Sequence, residues 1–123
     1  MRFSRQIETL ARLSGARVLA LHEPEVTPNF LAAELQLSHQ SLWVLCSVNG
    51  HWAFAARYVP GDCQLEFIDC PPLAALLQQH FAIAVLDRAT LLGPFAPQDC
   101  LSAADVRYWR PQTLGAGLFN WWD

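Results

Sequence analysis

The chain has 123 residues, 53% of them hydrophobic and only 15% charged, and a formal net charge of -3 at pH 7. That length suits one compact domain spanning 1–123, and eight arginines scattered among eleven acids form no basic stripe for a nucleic acid. No apolar run reaches the roughly 18 residues that cross a bilayer, and the opening MRFSRQIETLARL has no signal-peptide core, so a cytoplasmic protein without a membrane partner is expected.

In chain order, Phe3, Ile7, Leu10 and Ala11 share one face of a helix that stops at Ser14 and Gly15. Arg2 and Arg5 in its first turn read as a solvated helix start. The short apolar segment 16–22 predicts a strand buried on both faces. Thr27 followed by Pro28 has the form of a helix start, and FLAAELQL predicts about two helical turns after it.

From Ser41 the pattern becomes that of strands. SLWVLCSV, Asn49-Gly50 and HWAFAARYV predict a hairpin with a two-residue turn, pairing Val48 with His51, Cys46 with Ala53 and Val44 with Ala55. The turn at Pro60, Gly61 and Asp62 then leads into CQLEFIDC. A three-residue loop there places His51 and Asp69 on one face, and a four-residue loop separates them. In this register Trp43, Trp52, Phe54 and Tyr58 lie on one sheet face with Leu45 and Ile68, and Val44, Ala53, Ala55, Leu65 and Phe67 lie on the other.

Prolines 71 and 72 open a helix carrying Leu73, Leu76, Leu77 and His80 on one face. A strand is expected at 83–87 and a loop from Arg88 to Cys100. Ser102 and Asp105 have capping-box spacing for a helix through Trp109, which Pro111 ends. The segment TLGAGLFNWWD predicts a last short helix. The fold class is therefore α+β: an antiparallel β-meander over about 41–70, extended by one or two further strands and packed against several short helices.

Two chemistries compete for this scaffold. The order His51-Trp52, Asp69 on the next strand, then Gln98, Asp99 and Cys100 before a helix resembles that of the cysteine peptidases of the SUMO-protease and adenoviral-protease group. That resemblance implies a small papain-like cysteine hydrolase with Cys100 as nucleophile, His51 as base, Asp69 as its orienter and Gln98 as an oxyanion-hole donor. The glycine which follows the cysteine in that group is Leu101 here, and the capping box starts the helix at Ser102, leaving Cys100 outside it.

The cysteines 46, 63, 70 and 100 form no CxxC pair, and the histidines have no metal-ligand spacing, so neither a metal site nor a cofactor is expected. Low charge and an apolar pattern on both sheet faces favour a different reading. They point to a non-catalytic, protein-interacting or ligand-binding homodimer whose partner is a protein or a small apolar molecule. Trp43, Trp52, Phe54, Tyr58, Trp121 and Trp122 are its candidate interface residues. Trp109 is expected in the core.

Overall fold

The computed structural model describes residues 2–24, 28–59, 65–96, 98 and 101–120. Helix α1 (Arg2–Ser14) leads into strands β1 (Arg17–His22), β2 (Phe30–Gln36), β3 (Ser41–Ser47), β4 (Trp52–Arg57) and β5 (Glu66–Ile68). Helices α2 (Pro71–Phe81), α3 (Arg88–Leu92), α4 (Ala103–Trp109) and α5 (Leu114–Leu118) follow. The strands form one antiparallel meander in the order β1-β2-β3-β4-β5, an α+β fold.

Helix α1 buries the four residues that its spacing predicts, Phe3, Ile7, Leu10 and Ala11. It ends where Gly15 takes φ +73°, a left-handed conformation that side chains disfavour. Helix α2 begins on its two prolines, whose missing N–H groups cost nothing in a first turn. It buries Leu73 and Leu77, leaves His80 exposed, and closes on the left-handed Ala82. Together α1 and α2 cover one face of the sheet, face 1, packing on Ala33, Leu35, Leu42, Val44, Trp52 and Phe54. Face 2 carries Phe30, Ala32, Trp43, Leu45, Ala53, Ala55, Tyr58 and Phe67, and is closed by Leu91 of α3 with Leu118 and Phe119 at α5.

Several expectations are corrected. The segment after Pro28 is strand β2, not a helix: Leu31, Ala33 and Leu35 point to face 1 while Phe30 and Ala32 point to face 2. As a strand the same residues pair with both β1 and β3. With β2 in place, β1 becomes the outer strand, and its burial on both faces is also overturned: Val18, Leu19 and Leu21 are exposed. The expected strand at 83–87 is reduced to one bridge, Val85 running parallel beside Trp52. The expected loop after it contains α3, capped by Asp87, whose carboxylate accepts from Thr90 N at 2.7 Å.

The first hairpin is present in a register one residue from the expected one, with Cys46 facing Trp52, Leu45 facing Ala53 and Val44 facing Phe54. A two-residue type I′ turn needs positive φ at both central positions. Only Gly50 has it, at φ +87°. The loop therefore spans 48–50 and closes with Gly50 N donating to Ser47 O and Ser47 N donating to His51 O. Because side chains alternate, that slip moves Trp43 and Leu45 to face 2 and Val44 to face 1. A register shift between Ala55 and Arg57 sends Tyr58 to face 2 as well. The four aromatics expected on one face are thus split, Trp52 and Phe54 against Trp43 and Tyr58.

Candidate functional site

The described residues of the hydrolase reading, His51, Asp69 and Gln98, have separate partners. His51 stands at the entrance to β4, where its backbone N donates to Ser47 Oγ at 3.0 Å and its Nδ1 lies 3.3 Å from the same hydroxyl. Asp69 leaves β5 and accepts from Arg88 N at 2.9 Å, so it helps cap α3 and not the helix that follows it in sequence. The β4–β5 register sets Phe54 opposite Ile68. The edge of Trp52 on that side is taken by Val85 and by Leu86 N, which donates to Trp52 O. Gln98 turns its amide back to Ala96 O at 3.0 Å. Cys100 lies outside the described residues, as do the turn at Pro60, Gly61 and Asp62 and the two tryptophans Trp121 and Trp122.

Cys46 is half-buried on β3, where its thiol donates to Ser47 O and burial pushes its pKa up to about 11, away from nucleophilic use. Among the described residues, no group of three or more His, Cys, Asp and Glu side chains could hold a metal ion. No described helix is long and apolar enough to cross a membrane.

Of the candidate binding aromatics, Trp52 and Phe54 are core residues, and the Trp52 ring packs tilted against Phe3 of α1 at 5.6 Å. Trp43 and Tyr58 belong to a cluster on face 2 that sequence spacing does not reveal. Their rings meet edge to face at 5.0 Å, and His22, from the end of β1, packs on both at 5.5 and 5.7 Å. Glu34, half-buried, pairs across the strands with Trp43. Such edge-to-face contacts fill the space between the rings, so the cluster pins β1 to the sheet.

Besides a hollow of about 270 Å³ beside Phe67 and Phe119, two further concavities are bounded by described residues. One, of about 240 Å³, is lined by Phe54, Cys70, Ala74 and Val85, with Asp69 and Asp87 also in its wall. That is below the roughly 300 Å³ at which small-molecule sites begin. The other, of about 580 Å³, runs along the solvent side of α1 past Arg2, Arg5, Gln6 and Thr9 to Phe81. Its wall is divided between polar side chains and the Phe81 ring.

The remaining candidate surface consists of large apolar side chains left in water. Leu13 at the end of α1 and Val18, Leu19 and Leu21 on β1 are each 40–45% exposed. Helix α4 buries none of its residues, and it presents Tyr108 at 77% and Trp109 at 41%, their rings edge to face at 5.0 Å. Its Ser102 cap forms, Ser102 Oγ accepting from Asp105 N at 3.0 Å. Core burial of Trp109 is corrected, because Asp105 and Arg107 among the exposed residues of α4 leave only half-buried Val106 to face the protein. The signal for the β1 edge lies in the order of the elements: a first strand in a meander has one neighbour, so its outer side stays open. Comparison with protein families, with curated proteins and with solved structures finds no match.

Proposed function

We propose that the protein is a non-catalytic interaction domain of the cytoplasm that acts as a homodimer. The observation that carries this reading is the exposure of Leu13, Val18, Leu19 and Leu21 in one region, where α1 runs into β1. Apolar surface in water forgoes about 25 cal/mol per Å² relative to a buried state, and association recovers it. The low fraction of charged residues, 15%, leaves little polar surface to surround such a patch. The exposed Tyr108–Trp109 pair on α4 supplies anchors of the residue types that dominate binding energy at protein interfaces, and suits a further protein partner.

Light scattering coupled to size exclusion, run on the full chain across the micromolar range, is expected to give twice the 13.8 kDa chain mass. A single monomeric species over the whole range would overturn the homodimer.

A further inference from the structure

Resting on that homodimeric reading, we propose that two copies join edge to edge through β1. The two β1 strands run antiparallel about a two-fold axis, and Leu13, Val18, Leu19 and Leu21 of both copies are buried at the junction.

The backbone supplies the first argument. β1 is one of the two edge strands, paired only with β2, and among the described residues no backbone group of Arg17–His22 bonds outside that pair. Proteins commonly blunt such an edge with lysine, proline, an inward-pointing charge or a bulge, and of these β1 carries only the bulge. Between its terminal Arg17 and His22, β1 has only Val18, Leu19, Ala20 and Leu21. The register shift between Val18 and Ala20 bends the first half of the strand, leaving Ala20, Leu21 and His22 in regular pairing with β2 and open on the other side. A second strand adds with the two-fold axis at Ala20, which sets Arg17 against Glu23 of the other copy.

Side chains supply the second argument. Val18 pairs with Leu35 and Leu21 with Ala33, so both lie on face 1, the side that α1 covers. A two-fold axis perpendicular to the sheet keeps both α1 helices on the same side. Leu13, Val18 and Leu21 of one copy then meet the same residues of the other, a self-complementary apolar strip.

Charge supplies the third argument and selects a second copy over a foreign strand. Arg17 opens β1 and is exposed, and Glu23 follows its last residue. Antiparallel addition reverses the strand, bringing Arg17 of each copy to the end that carries Glu23 of the other. A guanidinium set beside half-buried Glu23 pairs opposite charges at both ends of the junction.

The experiment measures oligomer mass and dimer Kd for four full-length variants beside the wild type. Leu19→Lys with Leu21→Lys is expected to give a folded monomer by circular dichroism. Arg17→Glu is expected to raise Kd at least about tenfold, and Arg17→Glu with Glu23→Arg to restore it, because that exchange rebuilds the same pair. Tyr108→Ser with Trp109→Ser is expected to stay dimeric. A wild type that is monomeric at every concentration removes the homodimer itself. A dimeric wild type whose lysine variant stays dimeric, or whose charge exchange fails to restore Kd, overturns the β1 junction alone. Loss of the dimer in the α4 variant overturns it in favour of α4. If the lysine variant does not fold, the charge pair decides.

Discussion

Asn29, just before β2, and Asn120, after α5, join segments 91 residues apart. Asn29 Oδ1 accepts from Asn120 N at 2.7 Å and Asn29 Nδ2 donates to Leu118 O, while Asn29 N donates to Asn120 O. Asn120 is buried and gives its own amide to Gly117 O at 2.8 Å. Asn29→Ala strands one donor and one acceptor, and urea unfolding is expected to register a loss of about 2–4 kcal/mol. A second residue-scale effect belongs to the alkaline range. Burial raises both the Cys46 thiol, from 9.0 to about 11, and the Tyr58 hydroxyl. A group whose folded pKa is raised contributes stability that is complete below its unfolded pKa and lost as pH climbs through the folded one. The thermal midpoint is therefore expected to fall as pH rises from about 9 to about 11, and Cys46→Ala to make that fall shallower. An unchanged pH profile in the variant would show that Cys46 does not contribute.

At the scale of elements, α5 docks because two of its positions lack side chains. A Cβ at Gly115 would lie 2.5 Å from Phe67 Cε2 and 3.1 Å from Leu91 O, and one at Gly117 would lie 2.5 Å from Phe95 Cε1. Gly115→Ala is expected to destabilise by about 1–3 kcal/mol in urea, since the Phe67 ring is itself buried and has little room to yield. The elements that can be read directly from sequence are those set by neighbours: α1 by its apolar spacing, α2 by Pro71 and Pro72, α4 by Ser102, α5 by Thr113. Strand β2 could not be read that way. Leu, Ala and Glu favour helices, and what overrides them is pairing with β1 and β3 and burial on both faces, neither of which is local. The first turn failed by one residue for a related reason. Asn49-Gly50 marks a hairpin whether one or both residues take positive φ, yet that choice reverses every side chain of β3.

At the scale of the molecule, α1 and α2 close face 1 and α3 with α5 close face 2, which leaves β1 at one margin and α4 outside both layers. The exposed surface therefore depends on topology more than on residue type. Val18 and Leu21 have the composition of core residues, and only their place on an outer strand leaves them in water. The candidate site was hidden in the sequence for that reason, whereas His51 and Asp69 drew notice by residue type and proved to have separate local partners. The layering also orders synthesis. Face 1 can close once α2 has left the ribosome, but Phe30, Trp43 and Phe67 wait uncovered until Leu91, Leu118 and Phe119 emerge. Between the completion of α2 and the emergence of Phe119 the nascent chain thus carries one oily side bare, a period when chaperone contact or aggregation competes with closure.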